Sequence, residues 1–331
     1  MITIRFCVAA IVALVLSACA SFDRDDRGDV PIPPKLVSAM KAKGMTPQDP
    51  IMIRIHKQES ELEVWKRDRT GRYALLKTYP LCRWSGKLGP KMAQGDRQAP
   101  EGFYTVNAGM LNPRSQFNLS FNLGFPNRLE KSLGWEGSAL MVHGACSSSG
   151  CYAMTDDGVA EVYAVAREAL KGGQAAFQVQ ALPFRMNSRN LALHRGDPNM
   201  PFWRNLKEGA DRFNVTKQPP TVAYCGRRYA FDEPAGAMLD PMAPCPAIEG
   251  DPSISQKLAD ISKSDEASLQ SSTPAPAMSY SDGGMHPVFR EILAKSGPER
   301  LAKMTSTNVP VSRPDAALAD PYEPMMTGST Q

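Results

Sequence analysis

The chain is poor in histidine, with 4 among 331 residues, and neither charge dominates: 38 Lys and Arg against 34 Asp and Glu leave a net +4. The basic residues are scattered rather than gathered into a stripe, which excludes the electrostatic footprint of a nucleic-acid binder. No internal repeat is present, so a repeat architecture is excluded as well. The apolar run Phe6 to Leu16 is too short to span a bilayer as a retained helix. Short-spaced Cys pairs of the kind that zinc favours are also missing. What remains is a chain with 42% hydrophobic residues, enough to build a real core in one large or two ordinary domains.

The N-terminus has the layout of an export signal. Arg5 supplies the positive start, Phe6 to Leu16 the apolar stretch, and the stretch ends in "LSAC", Leu16 to Cys19. That ending resembles the bacterial lipobox, which implies residues 1–18 as a lipoprotein signal peptide and lipidation of Cys19 as the mature N-terminus. An ordinary signal peptide cut at "ACA" is the other reading, and both export the protein. In a diderm bacterium, Ala20 after the cysteine points to the outer membrane and hence to a periplasmic, lipid-anchored protein.

Export alters the cysteine arithmetic, because an oxidising compartment permits disulfides. Cys7 leaves with the signal and Cys19 carries lipid, so Cys82, Cys146, Cys151, Cys225 and Cys245 remain. An odd number leaves at least one thiol without a partner inside the chain.

Residues 19–50 are polar and proline-rich and read as a tether, with a short helix over Lys35 to Lys43. From Ile51 the apolar residues alternate in "IMIRIHK", "ELEVWKRD" and "RYALLKTYP", the pattern of antiparallel strands. Further strands are expected at Gly102 to Asn107, Gln116 to Leu123 and Ala139 to His143. "MTDDGVAEVYAVAREALKGG" then changes to helical spacing, with Thr155 or Asp156 as cap and Gly172 and Gly173 as stop. "AAFQVQAL" returns to a strand, "NMPFWRNLKEGADRFN" reads as a second helix, and "PPTVAYCGRRYAFD" as a small hairpin. The fold class is therefore mainly β with α, an α+β domain over residues 51–232. Residues 233–331 read as a mostly flexible tail, with one helical pattern between His286 and Met304.

The stretch "LMVHGACSSSGCYAMTD", Leu140 to Asp156, concentrates the candidate chemistry. His143, Cys146 and Cys151 could hold a metal with a fourth ligand from elsewhere, although the two cysteines stand four residues apart and lack a matching pair. Cys146 and Cys151 could form a small disulfide, which leaves the histidine unexplained. Alternatively a cysteine is a nucleophile and His143 its base, with a strand end holding the imidazole and a Ser/Gly loop returning the thiol to it. On this reading the nearby helix start lowers the Cys151 thiol pKa, and the N–H groups of Gly150 and Cys151 form an oxyanion hole.

Several segments resemble the L,D-transpeptidase catalytic-domain family, also called the YkuD family. "QGDRQAPEGFYTV" is similar to that family's glycine- and proline-containing approach segment, "LMVHG" to its histidine strand end, and "SSSGCYAM" to its cysteine segment. A helix and a "GGQAAFQVQ" strand follow in the same order. The resemblance covers Ile51 to Gln180, and further features extend it to Tyr229. It implies a YkuD-like β-sandwich with a helix after the catalytic cysteine, Cys151 as nucleophile and His143 as proton donor and acceptor. Only seven residues separate the two, and Ser149 stands where the family has a second histidine.

This shortened form, with "LPFRMN" and "KQPPTV" downstream, resembles a branch of periplasmic murein L,D-transpeptidase-like proteins. That branch includes an amidase releasing a peptidoglycan-linked lipoprotein. Cys146 belongs to that branch's pattern and is read as secondary or structural; the pairing of Cys82, Cys146, Cys225 and Cys245 stays open, with Cys82–Cys146 and Cys225–Cys245 as one arrangement.

The implied reaction is attack of the Cys151 thiolate on an amide of a meso-diaminopimelate-containing stem peptide. A thioester results, ended by an amine in transfer or by water in cleavage. The Gly144 carbonyl is the candidate to orient His143. Arg97, Arg185 and Lys91 are candidate contacts for the anionic peptide. His56, His194 and His286 lie outside any motif and are read as structural or exposed. No cofactor or metal is implied. A lipid-anchored envelope-tethering protein without catalysis is the reading from a different class.

Overall fold

The structure, a computed structural model, describes residues 26–231, 239–246, 250–272 and 282–305. The signal segment and Cys19 lie outside the described residues.

Two five-stranded sheets share one core. In the first, β1 (Ile51–His56), β2 (Glu61–Arg67), β3 (Tyr73–Pro80), β5 (Gly102–Asn107) and β10 (Ala176–Leu182) run in the order β3-β2-β1-β10-β5. The second contains β4 (Arg83–Trp84), β6 (Leu111–Ser115), β7 (Asn118–Asn122), β8 (Met141–His143) and β9 (Tyr152–Ala153), in the order β4-β9-β8-β7-β6. Ile51, Ile53 and Ile55 of β1 and Phe121, Val142 and Tyr152 of the second sheet are buried in the same apolar cluster. The α+β class and the first-half strands thus stand as the alternating pattern requires.

Among the described residues the α-helices are α1 (Pro34–Ala42), α2 (Arg128–Ser132), α3 (Asp156–Lys171), α4 (Ser188–Leu193), α5 (Met200–Thr216), α6 (Pro252–Ser271) and α7 (Pro287–Ala302). In α3, Val159, Val162, Tyr163, Ala166 and Ala169 are buried at helical spacing against the shared core. The Thr155 side chain accepts from Gly158 N–H at its start, and Asp156 and Asp157 sit in its first turn, where the helix dipole favours negative charge. Helix α5 covers the other face of the first sheet. There Arg54 of β1 bonds Gln180 and Asn214 and stacks over Phe213, so even the polar residues of β1 are buried. The hairpin β11 (Val222–Cys225) and β12 (Arg228–Phe231) closes the domain.

Two expectations about the flanks change. Residues 26–50 are not a free tether: Ile32, Leu36, Met40 and Met45 enter the main core, and Arg167 holds the Val30 carbonyl at 3.0 Å. Their apolar residues are few, yet they fall on one side of α1 and its flanks. The C-terminal segment also carries structure. Helix α6 lies against α4 and α5, with Asp265 accepting from Ser188 at 2.7 Å and pairing with Lys207 at 2.8 Å. Leu269 is its sole buried residue, so it carries almost no apolar periodicity. Helix α7, kinked at Gly297, buries Phe289, Leu293 and Leu301. Among the described residues no helix is long and apolar enough to cross a membrane.

Candidate active site

Strands β8 and β9 are parallel, with Val142 opposite Tyr152 and His143 opposite Ala153. Alternate residues face the same side of a sheet, and Val142 and Tyr152 face the core. His143 and Cys151 therefore share the opposite face, one strand across and two residues along. Cys151 is half-buried and is the free cysteine among the described residues.

The imidazole of His143 is buried and packs on Phe117, ring centres 4.6 Å apart. Its Nδ1 lies 2.6 Å from the Gly144 carbonyl. A carbonyl oxygen only accepts, so Nδ1 carries the proton and Nε2 keeps the lone pair. Burial depresses the His143 pKa to about 4, against the opposing pull of the Gly144 carbonyl and the Asp156 carboxylate. At neutral pH the ring is uncharged and able to accept a proton.

The thiol is held by the backbone beside it. Met141 N–H points at Sγ from 3.4 Å, and Sγ stands 3.5 Å from the Ala139 carbonyl. Burial raises its pKa above the ordinary 9.0, while the Met141 N–H and the positive charge of Lys91 oppose that rise. The resting pair is thus thiol and neutral imidazole. The expected lowering by the helix start does not occur: β9 intervenes, and α3 begins five residues beyond Cys151 with Thr155 capping its first N–H groups.

Between the two residues the chain makes a strained loop. Ala145 and Cys146 both have left-handed backbones, at φ 67° and 48°, which non-glycine residues rarely adopt. Asp156 fixes the first through Ala145 N–H at 2.9 Å, and a disulfide from Cys146 to Cys82 fixes the second. A second disulfide joins Cys225 to Cys245. The alternative Cys146–Cys151 bridge is therefore absent. Among the described residues no group of three or more His, Cys, Asp or Glu is placed to hold a metal ion.

No family model matches the chain. Over 230 residues it is 38% identical to the Escherichia coli K12 protein named "Putative L,D-transpeptidase YafK", covering 69% of this chain and 91% of that protein. The same figures hold for the YafK of E. coli O157:H7. The chain belongs to the L,D-transpeptidase family. Among solved structures it is similar to the helical cell shape determining protein Pgp2 of Campylobacter jejuni, at TM-score 0.34 and 15% identity over 57% of this chain and 80% of that one. It is also similar to Bd1075 of Bdellovibrio bacteriovorus, at TM-score 0.29 and 19% identity over 50% and 60% of the two chains.

Within this L,D-transpeptidase chain the other expected site residues are distributed unevenly. The N–H groups of Gly150 and Cys151, expected as an oxyanion hole, both point at Ser148 Oγ, at 3.3 and 3.2 Å. That hydroxyl in turn donates to the Cys151 carbonyl at 2.7 Å. The hole is closed by the loop's own serine. Gly150 itself is required by its backbone, at φ 126°.

Lys91 lies near the thiol, but its ammonium is buried and bonded to the Ala93 carbonyl and to Asp96. It acts there as a fixed charge rather than as an open anion receptor. Arg97 is at the rim beside the cysteine loop, with Nη1 on Ser149 Oγ at 3.2 Å. Arg185 is elsewhere: its guanidinium pairs with Glu61 and Glu63 on β2 of the other sheet. His194 is buried against Phe184, His56 lies 3.5 Å from Glu63, and the His286 side chain caps α7.

Two supports of the site carry no mark in the sequence. Ser148 is one. The other is Lys57, fully buried, whose ammonium bonds the carbonyls of Gly89 and Ala99 and the carboxylate of Glu101. It pins the segment that carries Lys91 and Arg97. A lysine ending an alternating strand reads as solvent-exposed, so nothing in the pattern marks it.

Proposed function

We propose that the chain is a cysteine acyltransferase acting on peptidoglycan stem peptides, with Cys151 as nucleophile and His143 as base. The observation that carries this reading is the tautomer of His143. Its Nδ1–H is committed to the Gly144 carbonyl, which leaves a neutral Nε2 on the sheet face that also bears the free thiol.

Since the resting pair is uncharged, proton transfer accompanies attack rather than preceding it. As Sγ bonds to the amide carbonyl carbon, Nε2 takes the thiol proton. When the tetrahedral intermediate collapses, the imidazolium returns that proton to the leaving amine and a thioester remains. An incoming amine regenerates the thiol and forms a new amide, and water gives the free acid. Formation of an oxyanion requires the N–H groups of Gly150 and Cys151 to exchange Ser148 Oγ for the substrate oxygen.

The family supports transfer between amines, and meso-diaminopimelate stem peptides supply both amides and amines. Incubating the protein with sacculi and analysing muropeptides by mass spectrometry tests this. New crosslinks or exchanged peptides are expected, whereas unchanged muropeptides would sink the reading. A periplasmic location with lipid on Cys19 rests on Arg5, the apolar run and "LSAC". Intact-mass measurement of the membrane-extracted protein decides it, and an unmodified mature N-terminus is the contrary result.

A further inference from the structure

The segment before α7 is bound to the active-site sheet as an additional edge. Gly284 forms an antiparallel bridge with Trp84 of β4, with Trp84 N–H on the Gly284 carbonyl at 3.0 Å and the reverse bond at 3.1 Å. His286 N–H continues the pairing onto the Leu81 carbonyl at 3.0 Å. The approach is so close that a Cβ at Gly283 would meet the Trp84 carbonyl oxygen at 1.8 Å. Beyond it, Met285, Phe289, Leu293 and Leu301 pack over Cys82, Cys146 and Ala153, covering the disulfide that holds the loop after His143.

At the start of this strap stands Asp282, a buried carboxylate with three neighbours from the active-site side. Oδ1 accepts from Gly86 N–H at 3.2 Å, and Oδ2 lies 3.4 Å from Arg83 Nη2 and 3.2 Å from Arg97 Nη2. Arg97 faces two ways: its other terminal nitrogen donates to Ser149 Oγ, two residues before the nucleophile. Its backbone is left-handed, at φ 58°, and its carbonyl accepts from Ser85 Oγ at 2.7 Å. Ser85 Oγ lies 3.1 Å from Ser148 Oγ, the hydroxyl that gathers the Gly150 and Cys151 N–H groups. The strap and the Ser148–Cys151 loop are therefore joined through one guanidinium, with the two serine hydroxyls in contact beside it.

We propose that Asp282, carried by the C-terminal strap, positions the Cys151 loop through Arg97. Arg97 is then a positioning residue held between the strap and Ser149, and the C-terminal segment is part of the active-site scaffold. This rests on Cys151 being the nucleophile, and the strained φ of Arg97 is maintained because both ends of its guanidinium are bound. A loop that carries both the thiol and the oxyanion donors loses rate when its register loosens, while substrate affinity changes little.

The test uses the full chain with Arg97→Gln, Asp282→Asn and the double variant. Cys151 alkylation by iodoacetamide at fixed pH is followed by peptide mapping, and kcat and KM are measured on sacculi. Both single variants should alkylate severalfold faster and lose about tenfold in kcat with KM within about twofold. The double variant should be no worse than either single one, because both break the same connection. Arg97→Gln keeps the measurement decisive if Asp282→Asn, which leaves Arg83 buried without its carboxylate, fails to fold. Unchanged alkylation and kcat, additive losses in the double variant, or a rise in KM at constant kcat would each overturn the proposal. The last would assign Arg97 to direct substrate contact instead. Alkylation is read without turnover, so a wild-type protein inactive on sacculi would refute the enzyme reading and leave the positioning test standing.

Discussion

His143 enters the reaction as a neutral base, and this fixes how reactivity must vary with pH. Because burial raises the Cys151 pKa above 9.0 and depresses that of His143 to about 4, neither residue changes charge near neutrality. Alkylation of Cys151 should keep climbing as pH rises past 9 and show no plateau around neutrality. A plateau with a midpoint near or below 7 would mean a preformed thiolate–imidazolium pair and would contradict the tautomer argument. Replacing the base by His143→Asn should cost roughly 10²–10⁴-fold in turnover, with the fold retained as judged by thermal melting.

At the scale of elements, the site depends on two clamps. The Cys82–Cys146 disulfide spans a sequence separation of 64 residues, and its loss should destabilise the domain by about 4 kcal/mol on loop-entropy grounds. Urea unfolding of the Cys82→Ala/Cys146→Ala variant against wild type, with the Cys225–Cys245 bridge kept oxidised in both, measures this, and equal midpoints would refute it. The Lys57–Glu101 pair anchors the segment under Arg97, with both side chains fully buried. Lys57→Met leaves Glu101 buried without a cation and should cost about 3–5 kcal/mol in the same assay.

The sequence exposed much of this architecture and concealed some of it, for identifiable reasons. Helix α3 was readable because its buried residues, its Thr155 cap and its glycine stop agree with one another. Strands β4 and β9, each two residues long, are too short to show any period. The pair His143 and Cys151 stands out because nothing else in the chain gathers such groups. Lys57 stayed hidden because its partners Gly89, Ala99 and Glu101 are far away in sequence, and Ser148 because its bonds within its own loop follow from a backbone shape that no pattern marks. Within the described residues, the tether and tail expectations give way where composition is averaged over segments that bury a few well-placed apolar side chains.

The whole molecule should be sensitive to mild acid, and the sign follows from its buried groups. His143 and His194 are depressed to about 4 and are therefore neutral in the fold, while the unfolded chain protonates both below about 6.5. Glu130 works in the opposite direction: burial raises its pKa to about 7, so the fold keeps a proton that the unfolded chain releases above about 4.5. Counting these three groups alone, the unfolded chain binds about one net proton more between these limits. Stability should thus fall by up to about 1.4 kcal/mol per pH unit on going from 6.5 to 4.5. Urea midpoints across that range test it, and a constant or rising midpoint in acid contradicts it. The central claim, that this fold presents Cys151 as the nucleophile, is tested most directly by muropeptide analysis of sacculi treated with wild type, Cys151→Ala or Cys146→Ala. The account predicts altered muropeptides with wild type and with Cys146→Ala below its lowered melting temperature, and none with Cys151→Ala; activity that survives Cys151→Ala would contradict it.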